Sequence, residues 1–437
     1  MVSAECFALR GDIVQSADVQ TLACVEDGYA VCEKGRSLGV FPQLPGHLEQ
    51  VEVRDFRGHL VIPGLVDLHT HAPQFACRGM GMDLELLDWL DAYTFPEEAR
   101  YLDLDYAARA YRSFADEMVK GATTRALVFA TVHLPATLLL MDLLEQSGLV
   151  TMVGKVNMDR NAPDALREPS AQASLDATQE WLASVRERAY SRTFPILTPR
   201  FVPSCSDGLL AGLSALQRES ALPVQSHLSE NRSEVAWVRR LRPDAAGYAE
   251  AYLNSGLLGG PCCPTVMAHC VHSDPREASL LLERGVWVAH CPVSNTCLSS
   301  GVAPVRAFLD KGLRIGLGTD VAGGYSPSIL HAVAEAVKAS KLRWRLEDEA
   351  LAPLTLAEAF CLATRGGGSF FGRAGAFDEG FDFDAVVLRD DPPPCGEKIG
   401  LEARLERLVY TGADSLAVDK YVAGRRIPLP QAAADAS

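Results

Sequence analysis

Apolar positions follow two different patterns along this chain. Near the N-terminus they form short runs separated by glycine-containing turns, as in Cys6-Phe7-Ala8-Leu9, Tyr29-Ala30-Val31-Cys32 and Val51-Glu52-Val53-Arg54. The C-terminal part repeats the pattern in Asp384-Ala385-Val386-Val387-Leu388, Leu408-Val409-Tyr410 and Lys420-Tyr421-Val422-Ala423. Such runs predict strands joined by turns. Neither end alone is long enough to bury a good core. The pattern therefore predicts that residues 1–61 and 376–437 combine into one small β-sandwich domain.

The middle of the chain is different. Eight apolar, β-branched runs recur at residues 60–67, 123–129, 150–156, 194–200, 222–227, 265–269, 286–290 and 313–318. Amphipathic segments such as 278–283 and 328–342 lie between them. The runs are continuous rather than alternating, as expected of parallel strands buried on both faces. Eight strand–helix alternations predict an α/β fold, a (β/α)8 TIM-like barrel over residues 62–375. A doubly wound open sheet would give a similar alternation.

Composition narrows the functional classes. The 437 residues suffice for such a barrel plus a smaller companion domain. The net charge of −15 argues against a nucleic acid partner and against docking on an anionic membrane. The uncharged stretches 251–273 and 285–305 are interrupted by Pro, Asn, Ser and His, so no membrane span is expected. The N-terminal residues carry no basic-then-apolar leader pattern. The twelve cysteines form no CxxC pair, and all are expected to be reduced thiols in a cytoplasmic protein.

The polar residues of the central runs cluster at their C-terminal ends, which is where a (β/α)8 barrel carries its active site. The first run leads into His69-Thr70-His71. Residues two apart in a strand share a face, so both imidazoles can reach one ion. Asp67 has the same parity and can support them. The fifth run ends in His227, with Glu230 three residues on; a turn there would be needed to bring Glu230 back over the ion. The sixth ends at His269, a ligand or a hydrogen-bonding partner for water or substrate. The eighth leads through Gly316 and Gly318 to Asp320, and glycines of that parity leave room beneath the carboxylate. Asp320 can ligate a metal or accept a proton from its water, although an N-cap role would use the same residue. The expected set is one divalent ion on His69, His71, His227 and Asp320, with Glu230, His269 and Asp320 as the proton-handling groups. A bound divalent ion makes hydroxide available near neutral pH, so these residues form a hydrolysis kit for an electrophilic carbon.

These residues also carry a resemblance. Val61-Ile62-Pro63-Gly64-Leu65-Val66-Asp67-Leu68-His69-Thr70-His71, His227 with Glu230, His269 and Gly318-Thr319-Asp320 resemble the amidohydrolase superfamily. The segment from His290-Cys291-Pro292-Val293-Ser294-Asn295 to Gly301 is similar to its aminohydrolase branch. Further stretches resemble the guanine deaminases of that branch: His71-Ala72-Pro73-Gln74, the segment from Leu86 to Tyr93-Thr94-Phe95-Pro96, Thr198-Pro199-Arg200-Phe201, and Gln225 to Arg232. The resemblance implies one zinc ion (Zn2+) and hydrolysis of guanine to xanthine and ammonia. It also implies a homodimer and substrate contacts from Gln74, Arg200, Phe201, His227, Glu230 and Asp320. Arg200 and Gln74 can hydrogen-bond a purine carbonyl, and Phe201 can pack on the ring. Taken alone, Arg200 could as well be a structural ion pair. Pro73 replaces the more usual Ser, and Cys270-Val271-His272-Ser273 also departs from the family pattern. An aminohydrolase for another ring and a non-catalytic scaffold are the competing readings; a scaffold would be expected to have lost its metal ligands.

Overall fold

In the computed structural model, which describes residues 6–390, 399–412 and 417–430, the eight central runs become parallel strands arranged in a ring. Leu65–His71, Thr123–Phe129, Val150–Gly154 and Thr193–Pro195 pair in that order. Val224–Leu228, Thr265–His269, Trp287–His290 and Arg314–Leu317 form a second parallel arc. Backbone hydrogen bonds join the arcs at both seams. At one, the Leu197 N–H donates to Pro223 O at 2.9 Å and the Gln225 N–H to Leu197 O at 3.0 Å. At the other, the Asp320 N–H donates to His69 O at 2.8 Å and the His71 N–H to Val321 O at 3.0 Å. The fold is thus a (β/α)8 barrel. Its interior is filled by Val66, Leu68, Leu127, Ile196, Val266, Ala268 and Ala289, all buried.

Helices follow the strands and cover them. Leu104–Lys120 begins at Asp103, whose carboxylate accepts the N–H groups of Asp105 and Tyr106. It buries Ala107, Tyr111, Phe114, Ala115, Met118 and Val119, a stripe at helical spacing. The amphipathic segments read from the sequence lie in helices Pro275–Arg284 and Ile329–Leu346.

The chain ends meet in a seven-stranded sheet. Its order is Arg425–Arg426, Ala417–Val422, Ala385–Leu388, Glu52–Pro63, Cys6–Ser16, Leu22–Glu33 and Arg36–Phe41. Two expectations need correction. The run at 60–67 is two strands, because Glu52–Pro63 belongs to this sheet and Leu65–His71 to the barrel. Gly64 divides them at a point where a Cβ would lie 2.2 Å from Thr124 Oγ1, so only glycine fits. Leu408-Val409-Tyr410 is not a strand but part of helix Leu401–Thr411, which buries Leu401, Leu405, Leu408 and Val409. Three residues are too short to distinguish the two periods.

A buried ion pair ties the sheet to the barrel. Arg125 Nε on the second barrel strand donates to Asp384 Oδ2 at 2.5 Å, with exposures of 4% and 1%. Asp384 also accepts the Ala423 N–H at 2.7 Å. Asp384→Ala leaves a buried guanidinium short of its main partner, so it is expected to destabilise the fold by about 3–5 kcal/mol. Urea unfolding checks this; a loss within about 1 kcal/mol would mean that Asp382, 2.8 Å from Arg125, suffices as its partner.

Among the described residues every cysteine is free; Cys395 lies outside them. No described helix is long and apolar enough to cross a membrane.

Candidate active site

The strand ends bring the four expected ligand side chains to one point at the C-terminal rim. His69 Nε2 and His71 Nε2 are 3.2 Å apart, and His71 Nε2 and His227 Nε2 are also 3.2 Å apart. Asp320 Oδ1 is 3.1 Å from His69 Nε2 and 3.4 Å from His71 Nε2. Four ligand atoms in tetrahedral contact with one zinc-sized ion would be spaced by about 3.3 Å. The four edges fit that value closely.

Electrostatics prepare these groups to ligate. Burial, followed by the neighbouring imidazole of His69, holds His71 and His227 well below the usual histidine range. Both are therefore neutral and keep a lone pair. The His227 Nδ1–H donates to Arg200 O at 2.6 Å, which leaves Nε2 as the free acceptor. Burial would raise the Asp320 carboxyl, but His69, His269 and His71 around it carry it well below the carboxylate range. Cys291 also lies near His69, His269 and Asp320. Burial raises its thiol well above the usual value, and its Sγ–H donates to Ala289 O at 3.5 Å. It is the weaker ligand candidate, because metals take thiolates.

Backbone geometry explains how the other groups reach the same place. Ser229, directly after the fifth strand, has φ 48°. This left-handed residue supplies the turn that the sequence required and swings Glu230 into the cavity. Glu230 Oε2 lies 3.4 Å from His269 Nε2. His269 and Asp320 themselves have φ 74° and 49°. Such values are uncommon for residues with a Cβ and cluster at functional sites. Glu230 is buried, and burial, then the charges of Asp320 and Glu234, push its carboxyl well above the usual range. A carboxyl that holds its proton readily is suited to proton transfer.

Gln74, Arg200 and Phe201 line the cavity beside these groups, with Leu86, Trp89 and Leu298. Pro73 opens the short 3-10 turn Ala72–Cys77, where its fixed φ is accommodated without a lost donor. Phe201 meets Trp237 edge to face, with centroids 6.1 Å apart.

Two expectations change in detail. Asp67 supports backbone, not imidazole: it accepts the N–H groups of His69 and Thr319, both at 3.1 Å. The glycines before Asp320 leave no space. A Cβ on Gly318 would lie 2.8 Å from His69 Cβ and 2.9 Å from Cys291 Sγ, so this glycine lets three strands close beneath the site. His290 is buried and does not line the cavity. Two residues were missed. Asn295 accepts the His269 Nδ1–H at 2.9 Å. Glu98 accepts from both Gln74 and Arg200. Asn295 stood inside the segment that began at His290, whereas Glu98 gave no signal, being an ordinary glutamate in a short helix.

The chain is similar to known proteins. The profile of the Amidohydrolase family matches residues 60–422. A guanine deaminase from Dictyostelium discoideum is 38% identical over 386 residues, spanning 87% of this chain and 85% of that protein. The guanine deaminase of Homo sapiens is 38% identical over 392 residues, 86% of this chain and 85% of its own. A guanine deaminase structure from C. acetobutylicum, solved with guanine bound in the active site, superposes with a TM-score of 0.93 at 41% identity, covering 97% of this chain and all of that one. The chain belongs to the amidohydrolase family and, within it, to the guanine deaminases.

Proposed function

We propose that this enzyme hydrolyses guanine to xanthine and ammonia, serving purine breakdown and salvage. The observation that carries the reading is the convergence of His69, His71, His227 and Asp320 at distances that fit one ion, with Glu230 and His269 at its edge. The donor set of three imidazoles and one carboxylate suits Zn2+. When bound, the ion acidifies the attacking water and polarises the reacting carbon.

The chain's own residues do the rest. Asp320 Oδ2 and His269 Nε2 lie 3.8 Å apart and face the same volume. Together they orient the water and hold its proton. Glu230 delivers a proton to the purine ring nitrogen next to C2, and a second to the amino group as it leaves. Water supplies the oxygen at C2 as the bond from C2 to the amino nitrogen breaks; one of its protons stays on the ring nitrogen of xanthine and the other leaves with ammonia. Gln74 and Arg200 fix the purine by its carbonyl oxygen, and Phe201 packs on the ring. Leu86, Trp89 and Leu298 exclude bulk water.

Three finer readings go with this. Residues 1–61 and 376–437 form one domain and 62–375 the other, with the strand Glu52–Pro63 carrying the first domain's sheet two residues past that bound. The enzyme is a homodimer, which light scattering tests directly. It works in the cytoplasm, in keeping with the free cysteines among the described residues.

The substrate assignment is tested by offering purified protein guanine, adenine, cytosine and a triazine and measuring ammonia. Guanine is expected to be turned over at least about 100-fold more efficiently than the others, as hydrogen-bonding sites discriminate strongly. Release of ammonia from another ring but not from guanine would reassign the enzyme within its branch.

A further inference from the structure

Behind the substrate-facing groups sits a carboxylate that does not line the cavity. Glu98 is 1% exposed and lies on the short helix Phe95–Ala99, outside the barrel strands. Its Oε1 accepts from Gln74 Nε2 at 2.8 Å, and its Oε2 accepts from Arg200 Nη1 at 2.6 Å. Gln74 and Arg200 are themselves buried, yet both reach the cavity. One carboxylate therefore grips the two side chains proposed to read the purine.

We propose that Glu98 is a positioning residue that sets the specificity of the site by forcing Gln74 and Arg200 to present only hydrogen-bond donors to the substrate. The argument is one of proton inventory. An ionised carboxylate can only accept. Gln74 must therefore turn its NH2 towards Glu98. On the other side, the Ala322 N–H can only donate, and it meets Gln74 Oε1 at 3.2 Å. The two contacts lock the amide in one of its two orientations. Its oxygen is spoken for, and its second N–H is left for the cavity. Arg200 has donors only, and Glu98 fixes the plane of its guanidinium while neutralising its charge in a dry place. The Arg200 guanidinium also lies 5.2 Å from the Phe95 ring, on the same helix as Glu98, which limits its freedom further.

A donor-only edge selects an acceptor. A purine with a carbonyl at position 6 satisfies it. A purine with an amino group there sets donor against donor and leaves buried N–H groups unpaired, a costly arrangement. The inference rests on the guanine reading, in that the purine edge away from the departing amino group is taken to face these residues. In Glu98→Gln the new amide can donate as well as accept, so the lock loses one side and Arg200 loses its counter-charge.

The test uses metal-loaded full-length enzyme and two purines that differ at position 6 and lack a 2-amino group, hypoxanthine and adenine. Calorimetric binding to wild type is expected to favour hypoxanthine by about tenfold or more, the scale of one charged hydrogen bond. Glu98→Gln is expected to narrow that ratio to about threefold or less, and to raise the KM for guanine about tenfold with kcat changed by less than about threefold. A ratio unchanged in the variant, an equal loss for both purines, or a fall in kcat at constant KM would each overturn the role. Glu98→Asp, which retains the charge on a shorter arm, is the second variant should the first fold poorly. Its ratio is expected to lie between those of wild type and Glu98→Gln, and a wild-type ratio there also counts against the proposal. Wild type that prefers hypoxanthine but releases no ammonia from guanine would remove the guanine reading and leave the role of Glu98 standing.

Discussion

Glu230→Gln is expected to slow deamination by about 10²–10⁴-fold while the protein keeps its metal and its fold. The size follows from what the substitution removes. The amide has nearly the shape of the carboxyl and fits the same buried position beside His269. It can still donate or accept a hydrogen bond, but it cannot take a proton from one atom and release it to another. Hydrolysis here needs two such transfers, one to the ring nitrogen and one to the leaving group. The environment of Glu230 favours its protonated form, through burial first and then the charges of Asp320 and Glu234. That is the condition a carboxyl needs in order to act as an acid near neutral pH. The loss should therefore appear in kcat, with substrate binding little changed. Steady-state ammonia release and metal content on the same preparation check both halves. Activity within about tenfold of wild type would assign the shuttle to another group, since general acid–base catalysis is worth more than that.

The parts of this site that could be read from the chain share a physical cause. His69, His71, His227, His269 and Asp320 end apolar runs, and the period-two geometry of a strand makes their direction calculable. The barrel then fixes which end of each run matters. Glu230 was legible only in part, because its approach depends on the left-handed turn at Ser229, a residue type with no strong preference for that conformation. Glu98 was not legible. It meets Arg200 across 102 residues of sequence, and nothing about a glutamate in Phe95-Pro96-Glu97-Glu98 marks it as buried. Arg200 shows a different limit. Ion pair and substrate contact appeared as alternatives, yet it lines the cavity while paired with Glu98, so the ion pair does not exclude a substrate contact. At the chain ends, periodicity identified the long strands but misread Leu408-Val409-Tyr410, where one buried helical turn looks the same as a strand. Gly64 carried no visible signal and Gly318 was read as leaving room, since their need for glycine comes from neighbours distant in sequence.

Removing the metal is expected to abolish activity and to lower the melting temperature, and adding Zn2+ back should restore both. The structural reason lies in the lone pairs. His71 and His227 are buried and held neutral, and His71 Nε2 faces two other imidazole nitrogens at 3.2 Å. Without a cation at their centre, these acceptors and the Asp320 carboxylate point at one another in a dry cavity. An ion there would convert that repulsion into favourable contacts, and it would bind the folded chain alone, because the ends of Leu65–His71 and Val224–Leu228 and Asp320, three residues past Arg314–Leu317, meet only in the fold. Ion held at 100 times its dissociation constant would add about 2.7 kcal/mol to stability by mass action. His69→Ala and Asp320→Ala separate the ligand contribution from chelation. Each removes one of the four ligands and should lower metal content together with ammonia release, and neither should respond to chelator as strongly as wild type. The decisive pairing is metal analysis with thermal unfolding, before and after exhaustive chelation. Full metal occupancy in both variants would dismiss this ligand set. A melting temperature that does not move when the metal is verifiably gone would show that the imidazole cluster is stable on its own, and the fit of its spacing to a tetrahedral ion would lose its meaning.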